Sequence, residues 1–179
     1  MIRSLNTRHG TVVLRPARLA DASNFRELRL GALRENPTAF GMDYQKATGY
    51  PDKYWEDMMN MDEDESAIFL AVHDAQLIGM AGIMRGRSPK TKHAAEIWGV
   101  YVSSEWRGLH IAEELIKSCT LWAEAHGIVI MRLAVVVTNQ PAVRCYERCG
   151  FVTYGIEPRS LLVDGTYYDE YLMSLVIGN

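Results

Sequence analysis

The residues best suited to chemistry lie between Ala94 and Phe151. Arg107-Gly108-Leu109-His110-Ile111-Ala112 follows a run of strand formers and opens a helical pattern. That order suits an anion. The first amides of a helix have no intrahelical acceptor and point outward, and the helix dipole adds to their pull on a phosphate or pyrophosphate. Gly108 lets the backbone approach such a ligand, and Arg107 adds a fixed charge. The same spacing also serves as a plain strand-to-helix junction, so it does not decide the matter alone. His110 and Glu113 stand at i and i+3, a spacing open to a metal. No third or fourth ligand accompanies them, and no metal is expected. Cys145 and Cys149, at i and i+4, read as small packing residues. There is no Gly-x-Ser-x-Gly elbow, no His-Glu-x-x-His and no P-loop lysine motif.

The elements that must position these residues follow from periodicity. Residues 1–10 read as polar and loose, and residues 11–179 as one domain. Thr11–Arg15 is strand-like and closed by Pro16. Asp21 is placed to cap a helix carrying Phe25, Leu28, Ala32 and Leu33, which Asn36-Pro37 ends. Residues 38–50 show no periodicity. A short helix starts at Pro51 and carries Tyr54, Trp55, Met58 and Met59. The acidic run Asp62-Glu63-Asp64-Glu65 reads as a solvated turn rather than a lure for a cation. Ala67–His73 and Gln76–Met84 flank Asp74-Ala75 as a hairpin, and Ala94–Val102 is a further strand. A helix over 110–125 places Ile111, Leu115, Cys119 and Trp122 on one stripe. Val129–Val137 is apolar enough for a central strand covered on both faces. Asn139–Cys149 is helical and is stopped by Gly150. Strand resumes over 151–156, and Asp164-Gly165 joins 161–163 to 166–168 as a hairpin.

Composition bounds the setting. The 179 residues are 48% hydrophobic and 23% charged, with 19 Lys+Arg against 22 Asp+Glu and a net charge of −3. A chain of this size buries about 70% of its unfolded surface, enough for one core. The mild acidity argues against general nucleic-acid binding. No stretch approaches about 18 apolar residues, so no membrane partner is expected. No apolar segment follows the N-terminus to suggest secretion. Three cysteines are too few and too clustered for a disulfide framework, which points to the cytoplasm.

A second segment, Asn139-Gln140-Pro141-Ala142-Val143-Arg144-Cys145-Tyr146-Glu147-Arg148-Cys149-Gly150-Phe151, turns these fragments into a resemblance. Over about residues 11–176 the chain resembles the GNAT N-acetyltransferases. Members carry a loop of the form Arg/Gln-x-x-Gly-x-Gly/Ala, matched here by Arg107 and Ala112. They also carry Asn-x-x-Ala-x-x-x-Tyr-x-x-x-Gly-Phe, matched by Asn139, Ala142, Tyr146, Gly150 and Phe151. His110 departs from the first pattern, standing where it has a glycine. A histidine there is strained at positive φ and tolerated at helical angles; the reading preferred here is the helical one.

The resemblance implies an α/β fold: a single GNAT-like domain whose mixed, largely antiparallel sheet has a central parallel splayed pair and flanking helices. It implies acetyl-CoA as co-substrate, bound between the strands ending near Val102 and Val137. Backbone groups of Val100, Tyr101 and Val102 would pair with the pantetheine and polarise the thioester carbonyl. Amides of Gly108, Leu109, His110, Ile111, Ala112 and Glu113 would hold the pyrophosphate beside Arg107, and Asn139 would touch the pantetheine arm. Tyr146 would protonate the departing sulfur, and Glu96 would take the amine's proton or merely orient the substrate; His93 is a weaker candidate. The implied reaction is direct acetyl transfer to a primary amine of a small molecule, amino acid or peptide, with a small molecule favoured over a protein. Residues 25–60 and the loop 156–165, with Arg159, are the segments placed to meet it. A homodimer stays open. The rival readings are a non-catalytic acyl-CoA-binding module on the same fold and an enzyme using another acyl-CoA.

Overall fold

Residues 2–178 are described by a computed structural model of the chain. Its strands are β1 (Arg3–Thr7), β2 (Gly10–Pro16), β3 (Ser66–His73), β4 (Gln76–Arg85), β5 (Ala94–Val102), β6 (Ile130–Val136), β7 (Val152–Val163) and β8 (Thr166–Val176). They form one sheet in the order β1-β2-β3-β4-β5-β6-β8-β7. Every neighbouring pair is antiparallel except β5 and β6, which run parallel. The helices are α1 (Ala22–Glu35), α2 (Tyr44–Thr48), α3 (Asp52–Met59), α4 (Ile111–Ala125) and α5 (Gln140–Arg148).

The period-2 alternation of the strands divides the core between the two faces. Phe69 and Ala71 of β3, Ile83 of β4, Ile97 of β5 and Met131 of β6 face one way, under Ile111, Leu115 and Cys119 of α4 and Val143 of α5. Ile68 and Leu70 of β3, Met80 of β4 and Tyr101 of β5 face the other, against Phe25, Leu33 and Trp55 of α1 and α3. The second helical layer therefore lies over β3 to β5.

Several sequence expectations change. Residues 3–7, expected to be loose, pair with β2 in the register Leu5 to Val12. An edge strand with one wet face needs few apolar residues, and Leu5 alone packs toward the core. The span 38–50, which showed no periodicity, contains the short helix α2, capped by Asp43 accepting from the Lys46 N–H at 2.7 Å. Asp21 precedes α1 without capping it, since its carboxylate is taken by Arg15. β6 is covered on one face only: Arg132 and Ala134 are exposed, because α1 to α3 pack over β3 to β5 and only the short turn of helix at Pro37–Ala39 comes near β6. Residues 156–163 are not a loop but part of β7, with a register irregularity between Glu157 and Leu161. The Asp62–Glu65 segment is a turn, and Asp164-Gly165 closes the β7–β8 hairpin.

Candidate functional site

A cleft opens where the parallel pair separates. β5 and β6 are in register only over Ala94–Glu96 and Ile130–Arg132. Beyond that β6 stays with β8 as far as Val136, while β5 stays with β4 as far as Val102. The β6-facing edge of β5 after Glu96 thus has no strand partner, and its backbone groups are free to meet a ligand. An extra residue in β5 sharpens the divergence: Tyr101 pairs with Met80 and Trp98 with Gly82, leaving two β5 residues opposite one. One of the two is Gly99, at φ +65°, and a Cβ there would lie 3.2 Å from Arg29 Nη1. A bulge of this kind turns a strand edge outward.

The cleft has a volume of about 460 Å³. Val100, Tyr101 and Val102 line it on β5, Gly108 and His110–Glu113 at the head of α4, Asn139 and Tyr146 on α5, and Asn36, Ala39 and Phe40 after α1. Every candidate cofactor residue therefore meets this one space except Leu109, whose side chain packs toward the core. Glu96 is exposed on the paired part of β5, next to Arg132 of β6, and does not line the cleft. His93 is also exposed and outside it. Arg159 lies outside too, with its guanidinium 5.4 Å from the centroid of the Tyr167 ring.

The head of α4 is open. Its first backbone bond runs from the Glu114 N–H to the His110 carbonyl at 3.2 Å, so the amides of Ile111, Ala112 and Glu113 have no acceptor in the helix. His110 corrects the sequence reading: it is not helical but left-handed, at φ 59° and ψ 19°. The loop must reverse between Arg107 and Ile111 to turn those amides toward the cleft. Gly108 at φ +73° supplies one left-handed residue and His110 the other. Histidine is among the non-glycine residues that adopt this region more readily. Its Nδ1 lies 3.1 Å from Glu113 Oε1.

Charge at this end is arranged by pairs. Glu113 Oε1 also accepts from Arg148 Nη2 at 2.6 Å and Nε at 3.1 Å. Burial pushes the Glu113 carboxyl up, but Arg148, a backbone amide and His110 outweigh it and hold the carboxyl below its ordinary value. Arg107 Nε donates to the Val102 carbonyl at 3.0 Å, which fixes the guanidinium at the cleft rim. Asn139 caps α5, its Oδ1 accepting from the Ala142 N–H at 3.3 Å. Tyr146 is only 9% exposed. Burial pushes its phenol well above the ordinary range, aided by the neighbouring Cys145, Cys149 and Cys119, so it keeps its proton.

The cleft residues that the sequence marks one by one lie on the β5, α4 and α5 sides; the fourth side falls within residues 25–60, which it marks only as a segment. Within that segment Asn36, Ala39 and Phe40 carry no spacing that marks them individually. The Tyr101 hydroxyl donates to Glu35 Oε2 at 2.9 Å, which ties the end of α1 to β5 beside the cleft.

Known proteins resemble this chain in sequence and in fold. An L-amino acid N-acetyltransferase, AaaT, of Escherichia coli (strain K12) is 29% identical over 70% of this chain and 76% of its own. A streptothricin acetyltransferase of Escherichia coli is 28% identical over 64% of each chain. Among solved structures, the acetyltransferase of GNAT family from Streptococcus pneumoniae superimposes with a TM-score of 0.84, at 22% identity, over 93% of this chain and 99% of its own. The yncA structure from Salmonella typhimurium, with its cofactor acetyl-CoA, gives 0.77 at 17% identity over 94% and 95%. The family described as Acetyltransferase (GNAT) matches residues 30–151, more than half the chain, and the chain belongs to it.

Proposed function

We propose that this protein transfers the acetyl group of acetyl-CoA directly to a primary amine of a small molecule. The observation that carries the reading is the continuous path from the unpaired edge of β5 to the open head of α4, with Tyr146 on the wall. An extended arm carrying amides along its length suits the first, and a pyrophosphate suits the second. Acetyl-CoA supplies an activated thioester when bound. The small-molecule reading is supported by the relatives, one named for L-amino acids and one for streptothricin.

In the reaction the amine nitrogen forms a bond to the acetyl carbon and the carbon–sulfur bond breaks. On the free edge of β5 the backbone N–H groups of Val100 and Val102 are placed for the charge that grows on the carbonyl oxygen, while Tyr101 pairs with Met80 of β4. Tyr146, kept protonated by burial, gives its proton to the leaving sulfur, and the proton that the nitrogen sheds as the amide forms restores the phenol. The amine must arrive as the free base. A peptide-type α-amino group, with a pKa of about 8, is partly neutral near pH 7, whereas an amine of higher pKa is mostly charged there and must shed a proton before it attacks. Glu96 is exposed and off the cleft, which supports loss of that proton to solvent. Asn139 braces the α5 wall by its cap. Three free cysteines fit a reducing compartment, and we place the protein in the cytoplasm.

Thiol release from acetyl-CoA over an amine panel tests the reading. Tyr146→Phe is expected to lower kcat about 100-fold while acetyl-CoA still binds, and Glu96→Gln to stay within about threefold of the wild type. Tight acetyl-CoA binding with no turnover of any amine would mark a binding module instead. A large loss in Glu96→Gln would restore that carboxylate as the base.

A further inference from the structure

The most exceptional side chain near the cleft belongs to Arg29, in the middle of α1. It is 5% exposed, yet Nε and Nη1 have no hydrogen-bond partner among the described residues. Its guanidinium lies 4.7 Å from the centroid of the Phe40 ring and 5.9 Å from that of Trp98. Burial pulls its pKa down to about 10, partly countered by Tyr54, so it remains charged at neutral pH. Aromatic faces attract a cation but accept nothing from N–H groups lying in its plane. A buried cation in this condition is costly unless an anion completes it.

The surroundings show where that anion would come from. Glu35, on the same helix, is engaged by the Tyr101 hydroxyl. Nη1 faces the backbone of Gly99, where an added Cβ would come within 3.2 Å. The next residue, Val100, lines the cleft, as does Phe40. Arg29 does not itself line the cleft; it stands directly behind the β5 bulge, between the cleft-lining residues Phe40 and Val100 and away from the open head of α4. An anion there does not belong to the pyrophosphate end, which leaves the acceptor as its source within this cleft.

We propose that Arg29 receives a carboxylate of the acceptor, so that the amines acetylated are those carrying a carboxylate close to the amino group, α-amino acids above all. This rests on the acetyl-transfer reading of the same cleft. A guanidinium edge and a carboxylate match in a planar two-bond pairing. An α-amino acid has its carboxyl carbon two bonds from the nitrogen, so a carboxylate held at Gly99 sets the amine beside Val100. Phe40 and Trp98 keep the guanidinium flat and dry for that pairing, and glycine at position 99 leaves room for the guanidinium against β5.

The test is a panel of L-amino acids, each matched with its decarboxylated amine, read as kcat/KM by thiol release. The wild type is expected to favour the carboxylate-bearing member by about 100-fold, the size of a lost charge-assisted pairing. Arg29→Gln is expected to collapse that ratio about 100-fold, and Arg29→Lys to restore part of it. Calorimetric titration of the same amino acids into the CoA-bound protein gives a second readout. Equal use of both members by the wild type would overturn the proposal, as would an unchanged ratio in Arg29→Gln. Should no amine be turned over, Arg29-dependent binding of amino acids would uphold this proposal while removing the catalytic reading. Turnover without carboxylate preference would do the reverse.

Discussion

At the scale of single residues the cleft is defined by a few conformational exceptions. His110 is the clearest, a left-handed histidine where the family pattern has glycine. A non-glycine residue in that region costs about 1–2 kcal/mol, less for residues that tolerate it. His110→Gly is therefore expected to raise stability by about 1 kcal/mol, read as a higher urea midpoint at unchanged m-value. A loss of similar size would instead give the contact to Glu113 more weight than the strain. The sequence named His110 as exceptional but not its angle, because one residue's φ is set by where the next helix must point. Glu96 shows the same limit. Its type and strand position suit a base, yet the parallel ladder ends just there and leaves it outside the cleft.

Among elements, α1 matters most, since it carries Arg29 and leads into Asn36 and Phe40. Its start is tied to the end of β2 by Arg15, whose Nη1 and Nη2 each reach the Asp21 carboxylate at 2.7 Å, while the Arg18 N–H adds a third bond at 2.8 Å. Arg15 above all holds the Asp21 carboxyl below its ordinary value, against the pull of burial. A lowered folded pKa stabilises above the unfolded value of about 3.9 and ceases to do so as pH falls through the folded one. Asp21→Asn is thus expected to cost about 2 kcal/mol at pH 7. The gap between wild type and variant should stay level down to about pH 4 and close below it. A gap that persists unchanged into stronger acid would show that the pairing is not its source. From the sequence Asp21 read as a helix cap, because its position before the helix was legible and its partner on β2 was not.

For the whole molecule, the net charge of −3 opposes an anionic cofactor, and the attraction must be local. The open amides of α4, with Arg107 fixed at the rim, provide it. Acetyl-CoA at about 100 times its Kd is expected to stabilise the fold by about 2.7 kcal/mol, a Tm rise of about 5–10 °C in calorimetry. Added salt should weaken binding as it screens the exposed part of that field. No shift in Tm at any concentration would remove acetyl-CoA as the ligand. Among the described residues, no helix is long and apolar enough to cross a membrane.

The sequence by itself determined what is local. Strand formers before a glycine loop and a helix start, the Asn139–Phe151 segment and the Asp164-Gly165 turn each act through neighbouring backbone, so their signals survive in one dimension. Only the tertiary structure decided which faces are covered and which edges are free. α1 to α3 stop at β5, which exposes Arg132 and Ala134 on a strand apolar enough to be buried twice. β5 and β6 part after three residue pairs, and that parting makes the cleft. Arg29 reads in the sequence as one polar position on an amphipathic helix. It becomes a buried cation whose Nε and Nη1 have no partner among the described residues because Phe40, Trp98 and Gly99 arrive beside it from elsewhere in the chain.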